Sequence, residues 1–128
     1  MANDNELKKI VLLIEDEIDL VDLYTEILNG AGYDVLPSYD GDDGIYKAKN
    51  DNWDLMLLDI MLPEKDGMAV LEEIKKTDKG KKGPIVLLTN LNSEDLIDRA
   101  YKLGADDYLI KSEISLDDIV DKVKQYLQ

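Results

Sequence analysis

The stretch that decides the fold is Asp54-Leu55-Met56-Leu57-Leu58-Asp59-Ile60-Met61-Leu62-Pro63, followed within three residues by Asp66-Gly67. Asp54–Leu58 is short and almost wholly apolar, the pattern of a strand covered on both faces. An acid closes it, and Pro63 with Asp66-Gly67 supplies the turn chemistry that leads into a helical pattern over Met68–Lys76. Working outward, Ile10–Ile14 and Ile85–Leu88 repeat the buried-strand pattern. Tyr33–Pro37 and Tyr108–Ile110 are weaker versions, expected nearer the sheet edges.

Helical patterns fill the gaps. Leu20, Val21, Tyr24, Ile27 and Leu28 share one face, with Asn29-Gly30 as the expected C-cap. Gly44–Asn50 is a short second helix. Leu96, Ile97, Ala100, Tyr101 and Leu103 mark a fourth, opened by Asn92 or Ser93 and closed by Gly104. Ser115 with Asp118 resembles a capping box, and Ile119, Val120, Val123 and Leu127 follow as a buried stripe. Strand–helix alternation with short connections predicts an α/β fold: a parallel five-stranded sheet with right-handed crossovers and helices on both faces. The expected strand order is 2-1-3-4-5, the flavodoxin-like (βα)5 arrangement.

Composition narrows the chemistry. At 128 residues the chain is one domain. It contains no cysteine and no histidine, which removes disulfides, thiolate metal sites and every imidazole-based nucleophile pair. No apolar run approaches the ~20 residues of a membrane span, and the polar start has no signal-peptide core, so a cytoplasmic location is expected. A net charge of −14 argues against nucleic acid or an anionic membrane as a direct partner. Lys75, Lys76, Lys79, Lys81 and Lys82 form one basic cluster, read as a solvated loop rather than a binding patch.

Ligands of such sheets bind beyond the carboxyl ends of the strands. Those ends deliver Glu15 and Asp16 from the first strand, Asp59 from the third, Thr89 from the fourth and Lys111 from the fifth. Crowded carboxylates repel, so at least one should have a raised pKa. A divalent cation resolves the conflict, and an all-oxygen donor set favours Mg²⁺, Mn²⁺ or Ca²⁺. An ionised aspartate can attack phosphorus to form an acyl phosphate. Asp59 is then the nucleophile, with Lys111 and the Thr89 hydroxyl facing the phosphoryl oxygens, and Mg²⁺ (Mn²⁺ as the alternative) neutralising the others.

These residues stand in runs that resemble response-regulator receiver domains. Val11–Glu17 is similar to the first-strand acidic motif of that family, and Asp54–Pro63 with Asp66-Gly67 to its phosphoacceptor motif. Pro84–Thr89 and Gly104–Lys111 complete the likeness, which spans about Lys9 to Leu127. The resemblance implies a receiver domain over residues 9–128 after an N-terminal extension, 1–8. It implies Asp59 as phosphoacceptor, and Glu15, Asp16, Asp59 and the backbone carbonyl of Met61 as metal-binding groups. Thr89 and Tyr108 take the positions of the switch hydroxyl and switch aromatic, and Lys111 that of the phosphoryl-binding lysine. Ser112 stands where proline commonly follows that lysine, Asn90 where a small residue is common, and Ile18 where proline often opens the first helix. Glu64 and Lys65 lie in the loop after Asp59, where they could tune access.

The expected activity is acceptance of a phosphoryl group from a histidine kinase or histidine phosphotransfer protein, in a signalling domain rather than an enzyme. Output is expected from the surface of the fourth helix, fifth strand and fifth helix, bound by an unknown downstream protein, with the chain a monomer or transient dimer. No attached output domain is expected. The alternative is a phosphorylation-independent docking module, against which Asp59 and Lys111 are both present. An aspartyl-phosphate phosphohydrolase would want a second acid where Met61 stands. A flavodoxin-like cofactor binder would place phosphate against Glu15-Asp16-Glu17, which repels it.

Overall fold

The structure is a computed structural model that describes residues 8–76, 81–90 and 93–127. Its elements run β1 (Ile10–Ile14), α1 (Ile18–Gly30), β2 (Asp34–Ser38), α2 (Gly41–Asn50), β3 (Leu55–Asp59), α3 (Gly67–Lys75), β4 (Ile85–Thr89), α4 (Glu94–Lys102), β5 (Asp107–Ile110) and α5 (Leu116–Tyr126). All strand pairs are parallel, in the order β2-β1-β3-β4-β5. The expected flavodoxin-like order is therefore the one observed.

The apolar runs are continuous because both faces of the sheet are covered. Leu12, Ile14, Met56, Leu58, Ile85 and Leu87 point to one side, where they pack with Ala48 of α2, Met68, Val70, Leu71 and Ile74 of α3, and Ala100 of α4. Their neighbours Val11, Leu13, Leu55, Leu57, Val86 and Leu88 point to the other, against Val21, Tyr24 and Leu28 of α1 and Ile119, Val120 and Val123 of α5. Alternation along each strand thus builds two cores on one sheet. The edge strands β2 and β5 are only half-buried for most of their length, consistent with their weaker apolar patterns.

Boundaries differ from expectation in a few places, each with a local cause. The β3 ladder starts at Leu55 because the Asp54 side chain leaves the strand pattern to accept the Ile10 N–H at 2.7 Å. β2 likewise begins one residue late, at Asp34. α2 opens earlier, at Gly41, because Asp40 accepts the Asp43 N–H and caps the helix. The end of α1 is set by Gly32 rather than Asn29-Gly30. Gly32 has φ +99°, and the Tyr33 N–H closes back on the Leu28 carbonyl at 3.0 Å. Ser93 caps α4, and Asn92 lies outside the described residues. Only Ala100 of the α4 stripe is buried, while Tyr101 is exposed. The Ser115/Asp118 capping box is present, and Leu127 sits half-buried just past α5. No described helix is long and apolar enough to cross a membrane.

Candidate functional site

Each strand of the sheet's centre delivers a residue able to do chemistry at or just past its carboxyl end. Asp59 is the last residue of β3 and is 2% exposed. Glu15, directly after β1, is wholly buried, and Thr89 closes β4 equally buried. Lys111 follows β5, and its N–H donates to the Thr89 carbonyl at 2.8 Å, which extends the β4–β5 ladder up to the site. On the other side, the Ile60 N–H donates to the Leu88 carbonyl at 3.0 Å. The backbone at the sheet's carboxyl end is thereby fixed on either flank of β4.

The side chains converge. Lys111 Nζ lies 2.8 Å from Glu15 Oε1 and 3.3 Å from Asp59 Oδ2. Asp59 Oδ1 accepts the Met61 N–H at 2.9 Å, and Glu15 Oε2 accepts the Glu17 N–H at 3.1 Å. Ligand-capable oxygens of Glu15, Asp16 and Asp59 lie within 4.8 Å of one another, the only such group of acids among the described residues. One ammonium therefore serves two buried carboxylates, with a third beside them. Burial is the largest influence on Glu15 and pushes its carboxyl up to about 7; the Lys111 and Glu17 hydrogen bonds pull down, and the Asp59 charge pushes further up. Burial alone would lower the Lys111 ammonium, but the Glu15 hydrogen bond and the Asp59 charge outweigh it and hold the lysine above its ordinary value. Crowding is expected to raise one acid; Glu15 is raised, but chiefly by burial, with the Asp59 charge a smaller contribution.

The loop after Asp59 is shaped by its own residues. A Cβ on Gly67 would lie 2.6 Å from Ile60 Cα and 2.9 Å from the Asp59 carbonyl oxygen, so only glycine lets α3 start this close to the strand end. Asp66 caps that helix by accepting the Ala69 N–H. Glu64 takes φ +63°, and Lys65 pairs with Asp42 at 3.1 Å across to α2. Met61 is exposed, and with Asp16, Ile60, Leu62, Pro63 and Asp66 it lines a cavity of about 440 Å³ at the mouth of the site.

Other positions singled out in the sequence fall around this centre. Tyr108, in β5, is half-buried and meets Tyr101 of α4 edge-on, with ring centroids 6.4 Å apart at 67°. Asn90 is exposed and Ile18 is the exposed first residue of α1. The Lys111–Ser112 peptide is trans. Sequence reading missed Tyr24, a 5% exposed α1 tyrosine whose hydroxyl burial raises, with the charges of Lys111, Glu15 and Asp59 also acting on it. Its helical spacing marked only an apolar face. The Tyr101–Tyr108 contact also escaped it, because pairing between elements leaves no trace in local spacing.

A doubly wound sheet with an all-oxygen acidic cluster and one lysine at its carboxyl end defines a class of sites suited to hard cations and phosphoryl groups. The chain belongs to the response regulator receiver domain family, whose pattern matches residues 11–124, and is thus a signalling domain of two-component systems. It is 41% identical over 101 residues to the transcriptional regulatory protein CiaR of Streptococcus pneumoniae, a match covering 79% of this chain and 44% of CiaR. The chain thus spans less than half the length of that relative. A CheY-like receiver domain protein from Methanospirillum hungatei superposes with a TM-score of 0.83 at 28% identity over 92% of both chains. The receiver domain of a sensor histidine kinase from Pseudomonas aeruginosa, solved with a magnesium ion in its active site cleft, does so with a TM-score of 0.82 at 25% identity, over 93% of this chain and 97% of that one.

Proposed function

We propose that this chain is a phosphoacceptor: a phosphoryl group passes from a phosphohistidine donor to Asp59, and the change is read out on the α4–β5–α5 surface. The observation that carries the reading is the Lys111 ammonium within 3.3 Å of Asp59 and 2.8 Å of Glu15, at the end of the sheet where phosphoryl ligands belong.

The donor set fits a hard divalent cation, being made only of oxygens, with Glu15 pushed to about 7 by burial and by its neighbour's charge. Asp16, Asp59, the Met61 carbonyl and Glu15 would hold Mg²⁺, with Mn²⁺ as the alternative. Bound there, the ion supplies neutralisation of nonbridging phosphoryl oxygens. The chain's own residues do the rest. An Asp59 carboxylate oxygen attacks phosphorus, the bond to the donor's imidazole nitrogen breaks, and the electron pair leaves with that nitrogen. Lys111 pairs with a phosphoryl oxygen, and burial of the site strengthens that attraction. The Thr89 hydroxyl donates to the same group, and Tyr108 turns inward after it, moving off Tyr101.

The receiver unit is proposed to extend over residues 9–128 in the cytoplasm, as a monomer or transient dimer. A histidine kinase or histidine phosphotransfer protein serves as donor, and a protein as the downstream partner. The net charge of −14 opposes direct binding of nucleic acid by this unit. Incubation with Mg²⁺ and acetyl phosphate or phosphoramidate, read by intact mass, tests the reading. One added phosphoryl group is expected, and none on Asp59→Asn. No uptake by the wild type, or uptake that survives the substitution, would leave the phosphorylation-independent docking module instead.

A further inference from the structure

Three lysines of the run read as a solvated loop are bonded at helix ends, while Lys76 is exposed and pairs with Glu73 at 3.8 Å. Lys75 Nζ, from the last turn of α3, donates to the Lys102 carbonyl at 2.9 Å. Lys81 Nζ donates to the Gly104 carbonyl at 3.0 Å and pairs with Asp106 Oδ2 at 2.6 Å. Lys82 treats α2 the same way, donating to the Lys49 and Asp51 carbonyls at 3.1 and 2.6 Å. Lys79 lies outside the described residues. Helix C-termini carry partial negative charge and unpaired carbonyls, so ammoniums placed there satisfy both. An anion would have to compete with those carbonyls, which disfavours the binding-patch alternative.

These bonds make α4 unequal end to end. Its C-terminal turn is closed by Gly104, with φ +106°, and by the Gly104 and Ala105 N–H groups donating to the Tyr101 and Ala100 carbonyls at 3.0 Å. Beyond it, Asp106 exchanges two bonds with Ile85 of β4: its N–H donates to the Ile85 carbonyl, and its carboxylate accepts the Ile85 N–H, both at 2.8 Å. The two lysines add their bonds to this closed turn. At the other end the Ser93 cap is long, 3.4 Å to the Leu96 N–H, and Glu94 and Asp95 are exposed. Ala100, the only buried residue of the helix, lies in its C-terminal half.

We propose that α4 is hinged at its C-terminal turn, where Lys75 and Lys81 hold Lys102–Gly104 in place, so that a change at Thr89 moves chiefly the first turn, Ser93–Ile97. The inference rests on the phosphoacceptor reading, in which Thr89 responds to the phosphoryl group, and adds to it the direction in which the helix moves. Ser93 stands four positions after Thr89 in the chain, so displacement of the strand end enters the helix at its first turn, where the side-chain cap is long. Glu94 to Lys102 spans about 12 Å at ~1.5 Å per residue. A shift of ~2 Å at the free end, within the range seen for helix movements, is then a tilt of about 10°.

Two arms of one NMR experiment test this. In the resting protein, Lys75→Met with Lys81→Met should speed hydrogen exchange of the Leu103–Ala105 amides roughly fivefold to tenfold, the scale of losing two charge-assisted bonds at a helix end. Ile97 and Asp98 should change less than twofold, and Lys81→Arg should behave more like wild type than Lys81→Met. Uniform acceleration along α4, or none, overturns the hinge. In the second arm Mg²⁺ and beryllium fluoride stand in for the phosphoryl group, with ¹⁹F resonances reporting occupancy of the site. Residual dipolar couplings should then show α4 tilted with Lys102–Ala105 stationary in the wild type, and that turn displaced in the double variant. Equal displacement of both helix ends in the wild type overturns the proposal. Absence of a bound fluoride signal counts against the phosphoacceptor reading, while the exchange arm still decides whether the lysines hold the turn.

Discussion

The two ends of the sheet handle charge in opposite ways. At the carboxyl end Glu15 and Asp59 are buried and share the single ammonium of Lys111, while Asp16 crowds in beside them. At the amino end the lysines are more exposed, and each has acceptors of its own: the Lys102 carbonyl for Lys75, Gly104 and Asp106 for Lys81, Lys49 and Asp51 for Lys82. Next to them Lys122 and the Tyr126 hydroxyl both serve Asp107. Electrostatic conflict is kept where a ligand can relieve it, and satisfied pairing is used where the fold has only to stand. A protein of net charge −14 can tolerate such a conflict if the rest of its buried polar groups are content, and among the described residues no buried side-chain nitrogen or oxygen lacks a partner.

The sharpest way to break the comparison is to neutralise one aspartate at each end. Asp59→Asn should abolish phosphoryl uptake from phosphoramidate and leave a folded protein. Asp106→Asn should leave the uptake rate within about twofold while lowering stability by roughly 1–2 kcal/mol, the scale of one compromised bond to a partly buried N–H. Urea denaturation and intact mass, run on both variants, read the two effects side by side. Loss of uptake in Asp106→Asn would show the ends to be coupled and the contrast false.

The next effect is one of pH. The Glu15 carboxyl is pushed from 4.5 to about 7 in the fold, so the folded state binds more protons than the unfolded chain between those values. Its stabilising contribution is complete below 4.5 and is lost as pH rises through 7. With chelator present, stability should therefore fall with rising pH across that window, by on the order of a few kcal/mol at most. Glu15→Gln should flatten the slope, and so should saturating Mg²⁺, which favours the ionised acid. A slope unchanged by Glu15→Gln would place the titration elsewhere.

Glycines at the two ends give a steric version of the same contrast. A Cβ on Gly83 would run into the Asp54 carbonyl oxygen, a closer approach than that of Gly67 to Ile60. Each alanine substitution should cost about 1–3 kcal/mol by overpacking against backbone. Only Gly67→Ala should also slow phosphoryl uptake, because it displaces the loop whose Met61 N–H holds Asp59. Equal slowing by both would mean that global loosening, rather than loop position, sets the rate.

Legibility in the sequence followed the range of the interactions. The three central strands could be read because burial on both faces writes continuous apolar runs into short segments. Their order came from the strand–helix alternation and the flavodoxin-like arrangement it implies, and the strand ends then fell where Glu15, Asp59, Thr89 and Lys111 stand. The cap at Ser115 was legible because both partners lie within one helical turn. The end of α1 was misplaced because Gly30 and Gly32 look alike in sequence, and only the backbone angle shows that Gly32 takes the left-handed position. The lysines were harder still. Lys75 and Lys102 are 27 positions apart, and a cluster of like charges gives no hint that its members face different helix ends. The Lys111–Glu15 pair, across 96 positions, was approached only through topology, which brought the strand ends together without saying which acid the lysine would choose.

The smallest expected effect lies in the amino-end cluster, and its sign opposes that of Glu15. Burial works to raise the Asp107 carboxyl, but the hydrogen bonds from Lys122, the Tyr108 N–H and the Tyr126 hydroxyl together hold it below its ordinary 3.8. Its contribution is therefore present above 3.8 and lost as pH falls through the lower folded value. Tyr126 mirrors it on the alkaline side. Burial and the Asp107 bond push its hydroxyl from 10.0 to about 12, so its contribution is complete below 10.0 and disappears as pH approaches 12. Between those limits the cluster should give stability a flat profile, where the carboxyl end gives a falling one. Lys122→Met should lower stability by less than ~1 kcal/mol near neutrality, as befits a partly exposed pair. It should also move acid unfolding to higher pH, because Asp107 then protonates sooner. Thermal melts from pH 3 to 11 on the wild type, Lys122→Met and Glu15→Gln separate the two slopes. If Lys122→Met altered the slope between 4.5 and 7, the window assigned to Glu15, charge at one end of the sheet would be felt at the other, and the division between the ends would be one of position alone.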